Sequence, residues 1–497
     1  MISPSPAPAF IAPEDHPIRN LKSVFVAVAI LAALTLFRLW YVTRIQLVPD
    51  EAYYWVWSKH LAASYRDKGP AIAWVIALGN WLFGDTVFGV RFFAVVLGTG
   101  ISWFIYTLAR RLAGHRTALW CLILANIIPL LAVGSLLMTI DTLSLFCWAW
   151  GMNVFWSAIE SRKLWQWAAL GLLIGLGFLA KFTNGLQLIC IAMFLCWSKP
   201  HRNLLFSKQT VTMGVAFGVA ILPIVWWNIN TGWIHAGALH SRSGVETSFH
   251  IRPLELLHFI GGQILVLSPL IGLGMIAALV GTCRHHHRDL QARFLLSHCL
   301  PVYAVFGFFS LNHAGKENWA APALIAGIVM LTIYWRALVA RTPRWSRGVA
   351  TALGLSCVAT VLLHNTDYLH LPSKFEPLRR AQGWDDFTRH VQRARSEHHA
   401  DLLIGNHYSQ ASMMQFYLPD HPNTYLPEQP YGQNQFTLWP TYQAKDHPRA
   451  LFVTDKADPI PDSLLRDFGS CEVVDDFWSQ HQGRDMTHFI IYLCHRD

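Results

Sequence analysis

Asp50 and Glu51 stand side by side in Val48-Pro49-Asp50-Glu51-Ala52-Tyr53-Tyr54-Trp55, just past the end of the first long apolar run. Carboxylates where a helix leaves lipid are costly, and they mark a site more often than chance placement would. Asp50 is therefore a candidate catalytic carboxylate, with Glu51 as its support; the plain alternative is a polar loop after a span. Tyr53, Tyr54, Trp55 and Trp57 surround the pair with rings suited to a sugar or lipid interface. The next polar stretch, Ser64-Tyr65-Arg66-Asp67-Lys68-Gly69-Pro70, supplies two cations. Arg66 and Lys68 could hold a phosphate near the membrane surface, or could simply snorkel to the interface.

Three further places carry polar groups beside apolar runs. Asp141, in Met138-Thr139-Ile140-Asp141-Thr142, is at a helix start, where an N-cap and a site role are compatible. Lys181 ends an apolar run at Ala180-Lys181-Phe182-Thr183; without a partner it would be only a helix C-terminal cation. Lys316, Glu317 and Asn318 form a polar edge with His313 and Trp319 ahead of another run, and are candidate substrate-facing residues. His235, His240 and Arg242 in the segment 228–254 are placed in the same group. His235 and His240 are five apart and no H-E-x-x-H spacing occurs, so a divalent metal finds little support and no cofactor is expected.

The elements that must position these groups are membrane helices. The 497 residues are 53% hydrophobic and only 14% charged, and contain 22 Trp. Mean hydropathy is +0.31. Repeated runs approach the roughly 20 apolar residues that span a bilayer, and Trp gathers at its interfaces. The fold class expected is an all-α polytopic membrane domain. Spans are expected at 23–42, 87–108, 117–134, 142–158, 165–180, 185–197, 211–227, 257–279, 294–311, 319–337 and 349–363, which makes about eleven. Gly69–Phe83 is too short for a span and reads as an interfacial helix. With Arg19 and Lys22 ahead of the first span, the N-terminus is cytoplasmic. Nearly every Lys/Arg cluster then falls on one side, and the acidic pair, Asp141, Lys181, 228–254 and His313–Asn318 on the other. The formal charge of +9 is thus explained by short loops, with no nucleic-acid partner required.

Residues 1–20 are Pro-rich and read as a disordered tail; residues 21–364 form the membrane domain. From 365 to 497 charge and Pro rise and long apolar runs stop. An amphipathic helix at 381–398 and short strand-type runs at 401–405, 450–454 and 488–494 indicate a small α/β domain, outside the cytoplasm by span parity. Its two Cys, Cys471 and Cys494, each flank an expected strand, and a bridge between them is left open. The other seven of the nine Cys lie outside this domain, most of them in apolar runs, and show no zinc-type pairing.

Taken together these stretches resemble the GT-C glycosyltransferases. The nearest branch is the bacterial family-39-like one, which includes protein O-mannosyltransferases, lipid A aminoarabinose transferases and lipopolysaccharide-core galacturonosyltransferases. Asp50–Trp55 resembles the family's first-loop motif, and Tyr65–Pro70 its Y-x-x-(H/K)-x-P stretch, with Lys68 where some relatives have His. Asp141 matches the second-loop Asp, and Gly177–Gly185 with Lys181 is similar to the family's glycine-lysine turn. Lys316–Pro322 and Asn434–Pro440 also look like stretches of the bacterial members. The resemblance implies inverting transfer of a sugar from a polyprenyl-phosphate donor to a glycolipid, glycan or protein hydroxyl, at the periplasmic face of the bacterial cytoplasmic membrane. It further implies that Asp50 is the general base, that Arg66, Lys68 and Lys181 hold the donor phosphate, and that Asp141 and Glu51 shape the site or touch acceptor.

A lipid or sugar transporter is the competing class. Transporters line a path near the midplane, often within an internal repeat. Here the polar groups gather at one face and the halves show no repeat. A scaffold that merely anchors the C-terminal domain would leave the carboxylates replaceable.

Overall fold

The computed structural model describes residues 21–234, 237, 250–312, 315–428, 433–444, 447–455 and 459–496. The chain is mostly helical and divides into two compact units. One comprises Met1–Arg38, Ala94–Leu136 and Ile140–His364; the other comprises Leu39–Phe93, Leu137–Thr139 and Asn365–Asp497. The change in composition near Asn365 thus coincides with one edge of the second unit, which also takes in the segment carrying Asp50.

Among the described residues, five helices are long and apolar enough to cross a membrane: Leu21–Tyr41, Val87–Ile127, Leu290–Ser310, Glu317–Arg341 and Trp345–His364. Shorter apolar helices occupy Ala71–Phe83, Leu164–Ala180 and Phe182–Trp197. Inside Val87–Ile127, Gly114 takes φ 82° and ψ 174°, a backbone state open to glycine, and the helix breaks there. The break falls between Arg111 and Arg116, where the charges separate two expected spans.

Two expected spans are bent pairs of helices. Lys208–Ala220 and Leu222–Thr231 meet at 50°, with Pro223 in the first turn of the second helix. The straight span expected at 257–279 is corrected more strongly: Pro253–Val266 and Pro269–His285 meet at 113°. Ser268 has φ 74° and Pro269 follows at the start of the next helix, so the helical ladder cannot continue through the junction.

The core of the first unit is aromatic and close-packed. Phe155 lies edge-on to Phe194 at 5.5 Å and to Trp167 at 6.0 Å, and stacks on Phe294 at 5.7 Å. Every residue from Ala321 to Ile333 is buried. With lipid outside, such helices gain from van der Waals fit more than from escaping water.

In the second unit, the helices Pro49–Lys59 and Ala71–Phe83 belong with a five-stranded sheet. Its strands are β1 (Leu402–Gly405), β2 (Thr424–Tyr425), β3 (Arg449–Thr454), β4 (Ser470–His481) and β5 (Arg484–His495). The order is β2-β1-β3-β5-β4. β1 runs parallel to β2 and β3, with Tyr408–Tyr417 as the crossover helix between β1 and β2. β5 is antiparallel to both its neighbours. β4 returns into β5 through Gln482 (φ 48°) and Gly483 (φ 75°), a two-residue turn whose twist matches the strands. The expected amphipathic helix is Trp384–Glu397, and it lays Phe387 on Phe489 of β5 at 4.5 Å. Cys471 and Cys494 are direct cross-strand partners and are bridged.

Candidate active site

The acidic pair opens a helix. Pro49 at the first position of Pro49–Lys59 needs no hydrogen-bond acceptor, and Asp50 and Glu51 put negative charge at the helix N-terminus. Val48 has no side-chain oxygen, so only the Glu51 half of a capping box forms: Val48 N–H donates to Glu51 Oε2 at 3.0 Å.

The two carboxylates then part company. Asp50 keeps 32% of its side chain exposed. Its Oδ2 accepts from Arg380 Nη2 at 2.8 Å and its Oδ1 from the Tyr408 hydroxyl at 3.1 Å. Glu51 is fully buried and faces Arg91, itself fully buried. Arg91 Nε and Nη2 bind Glu51 Oε1 and Oε2 at 2.8 and 2.5 Å. Its remaining donors reach the carbonyls of Val42, Ile45 and Gln46 at 3.0, 2.8 and 2.8 Å. All five guanidinium N–H groups are therefore used. Glu51 Oε1 also accepts from Met138 N–H at 2.8 Å. Glu51 thus ties the helix Pro49–Lys59 to the segment before it and to Met138. Of the two roles the resemblance implies for Glu51, shaping the site or touching acceptor, these bonds are of the first kind.

The aromatic cluster is a stack. Tyr53 lies on Tyr408 at 4.5 Å and on Phe436 at 5.7 Å, while Trp57 stacks on Tyr65 at 4.3 Å. The Tyr53 hydroxyl accepts from Gln435 N–H at 2.6 Å. Burial pushes the Tyr53 and Tyr408 phenols well above their ordinary range, and the Asp50 charge adds to this for Tyr408. Tyr408 therefore stays a proton donor toward Asp50 at neutral pH. Tyr54 packs edge-on to Trp57 at 5.2 Å.

Arg66 binds the Gln433 carbonyl at 2.9 Å and the Gln433 side chain, while its backbone N–H donates to Gln435 Oε1 at 2.7 Å. Lys68 is half-buried and its carbonyl accepts from Tyr65 N–H at 3.2 Å. A cavity of about 240 Å³ in the same unit is walled by Val56, His60, Asn423, Phe436 and Trp439, among others.

In the first unit, three residues far apart in sequence meet. Asp141 lies in the first turn of Ile140–Ser161. Its Oδ1 binds Lys181 Nζ at 2.6 Å and its Oδ2 accepts from Asn318 Nδ2 at 2.8 Å. Lys181 is only 12% exposed. It takes an extended conformation just past Leu164–Ala180, where its N–H closes on Gly177 carbonyl at 2.8 Å. A Cβ on Gly177 would lie 2.3 Å from Asn184 Nδ2, so glycine is what lets this turn close. Lys316 and Glu317 are exposed, and the Glu317 carbonyl accepts from Gln263 Nε2 at 2.8 Å.

His235, His240, Arg242 and His313 lie outside the described residues. Among the described residues, no three His, Cys, Asp or Glu side chains gather closely enough to hold a metal ion. Arg91, Arg380 and Tyr408 are the groups that sequence reasoning passed over. Arg91 had a signal, a charge inside an apolar span; Arg380 and Tyr408 had none.

Residues 67–227 match the dolichyl-phosphate-mannose-protein mannosyltransferase family. The lipid A galacturonosyltransferase RgtD of Rhizobium johnstonii is 25% identical over 425 residues, which cover 82% of this chain and 86% of that protein. An undecaprenyl phosphate-alpha-4-amino-4-deoxy-L-arabinose arabinosyl transferase of Pseudomonas aeruginosa is 28% identical over 310 residues, covering 56% of this chain and 53% of its own. Among solved structures, ArnT from Cupriavidus metallidurans bound to undecaprenyl phosphate shares the fold. Its TM-score is 0.61 at 16% identity, over 94% of this chain and 97% of that one.

Proposed function

We infer that this chain, a multi-pass membrane glycosyltransferase with a dolichyl-phosphate-mannose-protein mannosyltransferase family domain, transfers a sugar with inversion from a polyprenyl-phosphate donor to a hydroxyl of lipid A or a related envelope glycolipid. The observation that carries the reading is Asp50, a carboxylate fixed through both oxygens by Tyr408 and Arg380 yet partly open to solvent. The donor follows the undecaprenyl phosphate named for the arabinosyl transferase and the ArnT structure; the acceptor follows the lipid A named for RgtD. Relatives named as transferases leave the transporter reading without support.

In the proposed step, Asp50 takes the proton of the acceptor hydroxyl while that oxygen forms a bond to the anomeric carbon. The bond from that carbon to the donor phosphate breaks on the opposite face, and the phosphate leaves with the electron pair. One back-side displacement inverts the anomeric centre. Negative charge grows on the leaving phosphate, so a fixed cation stabilises the transition state. Arg66, Lys68 and Lys181 are the candidates for that role. Phe436 and Trp439, in the wall of the cavity, offer ring faces of the kind that saccharides stack on. Residues 21–364 would be the membrane domain and 365–497 a periplasmic one, with the N-terminus in the cytoplasm of a bacterial cell.

The test is transfer by the full chain in proteoliposomes. Undecaprenyl-phosphate-linked galacturonic acid or 4-amino-4-deoxy-L-arabinose would be offered with lipid A, and the products weighed by mass spectrometry. Asp50→Asn is expected to lower turnover by about 10²–10⁴-fold with thermal unfolding unchanged. Undiminished turnover by that variant would remove Asp50 from the mechanism, and label found in protein or glycan, with lipid A unmodified, would move the acceptor.

A further inference from the structure

A helix long and apolar enough to cross a membrane ends at His364. The chain then passes through short helical turns at Thr366–Leu369, Ser373–Phe375 and Arg379–Ala381. Tyr368 follows the helix end by four residues, so covalent geometry keeps it within about 14 Å of that end. Tyr368 and Phe375 are 78% and 67% exposed, large rings of the kind that settle at a membrane interface.

The charges of this segment are sorted. Its two carboxylates are turned to β4, β5 and the turn between them. Glu376 is buried and binds Arg484 at 3.3 Å. Asp367 accepts from His481 Nε2 at 3.1 Å, from Gln482 Nε2 at 2.8 Å and from Arg484. Its three cations, Lys374, Arg379 and Arg380, are all exposed. Among the described residues, the one carboxylate that any of the three binds is Asp50, which Arg380 Nη2 reaches at 2.8 Å. That bond uses one of the five N–H groups of a guanidinium. An exposed cationic stretch carrying exposed rings, tethered to a membrane helix and ending on Asp50, suits the anionic headgroup of a lipid that presents a hydroxyl there.

We propose that Lys374, Arg379 and Arg380 dock the anionic headgroup of the acceptor glycolipid, through its phosphates or sugar carboxylates, and so bring its hydroxyl to Asp50. This role rests on the transferase reading above and adds to it the place where the acceptor binds. A bulk anionic phospholipid would suit the cations alone; the bond from Arg380 to Asp50 favours the substrate.

The experiment measures binding and transfer by the full chain in phosphatidylcholine nanodiscs. Binding is read by native mass spectrometry with lipid A, with dephosphorylated lipid A, and with the dephosphorylated form carrying an acidic core sugar. A preference of the wild type for either charged form over the neutral one names the group that is read. The double variant Lys374→Gln/Arg379→Gln is expected to bind that charged form about 30-fold more weakly, about fivefold for each charge removed. Its acceptor KM should rise by the same factor, with donor KM, unfolding temperature and binding of the neutral form unchanged. Equal losses for charged and neutral forms, or displacement of lipid A by an equal concentration of phosphatidylglycerol, would overturn the proposal. Turnover on lipid A with undiminished binding by the double variant would also overturn it, and leave the transferase reading standing. The expected loss of binding without any turnover would remove lipid A as acceptor and keep the segment as a site for an anionic glycolipid.

Discussion

Glu51 and Arg91 share two parallel hydrogen bonds, Nε to Oε1 at 2.8 Å and Nη2 to Oε2 at 2.5 Å, with neither side chain exposed to solvent. The pair joins the helix that presents Asp50 to the start of Val87–Ile127. Removing one partner strands a buried charge, which typically costs about 3–5 kcal/mol. Arg91→Met is therefore expected to lower unfolding stability by that amount, and to reduce transfer because Asp50 loses its support. The double variant Glu51→Leu/Arg91→Met should lose clearly less than the sum of the two single losses. Additive losses in that double-mutant cycle would mean the two side chains act independently.

A second ion pair gives a pH signature. Asp85 accepts from Trp55 Nε1 at 2.8 Å and from the Lys59 ammonium. Burial acts to raise its pKa, but the Lys59 and Trp55 donors and the Lys59 charge outweigh it and hold the carboxyl below its ordinary value. A depressed folded-state pKa means stability that is present above the unfolded value, about 3.9, and lost as pH falls through the folded one. The pair is about one-third exposed, so solvent screening limits it to about 0.2–1 kcal/mol. Asp85→Asn should thus unfold slightly earlier than wild type at pH 7. The gap should close as the pH is brought below 4; a gap that stayed constant would assign the loss to the indole hydrogen bond alone.

The disulfide makes a prediction confined to the C-terminal sheet. Cys471 and Cys494 are 23 apart, and closing a loop of that size in the unfolded chain stabilises the fold by about 3 kcal/mol. Cys471→Ser, or treatment with a thiol reductant, should lower the unfolding temperature of the full chain. Hydrogen exchange should rise first along Ser470–His481 and Arg484–His495. Exchange that rose instead in the membrane helices would contradict a local role.

These elements differ in how far the sequence exposes them. β1, β3 and β5 are apolar runs with strand spacing, and all three stand out from the residue pattern alone. β4 is marked only at its start, by Cys471, because Cys471-Glu472-Val473-Val474-Asp475-Asp476 is half-exposed and its charges break the apolar run. The bend at Ser268 is hidden for the opposite reason: apolar residues continue on both sides, and only Pro269 marks the place. Asp141, Lys181 and Asn318 could each be singled out by a polar residue at the edge of an apolar helix, and the structure joins them. Arg91 reads as part of a span because its hydropathy cost is diluted by its neighbours; its partner is 40 residues away. Arg380 and Tyr408 reach Asp50 across 330 and 358 residues, a separation that no local pattern reports.

Lys181 offers the sharpest separation of a functional role from a structural one. Its ammonium is mostly buried against Asp141, which alone would make it an ion-pair anchor for the turn after Leu164–Ala180. Anchoring would be lost equally in Lys181→Met and Asp141→Asn, and both would act through stability. A cation that also holds the donor phosphate does something Asp141 cannot. A hydrogen bond to a charged group is worth about 1.5–3 kcal/mol, or roughly 10–150-fold in affinity. Lys181→Met should therefore raise KM for the polyprenyl-phosphate donor by about that factor, with KM for the acceptor little changed. Asp141→Asn removes the competing carboxylate and keeps the ammonium, so its donor KM should stay within a few-fold of wild type. Lys181→Arg should recover part of the donor affinity, since it restores the charge with a different reach. Equal donor KM values in Lys181→Met and Asp141→Asn, with losses that track unfolding temperature, would make Lys181 an anchor and leave the phosphate to Arg66 or Lys68.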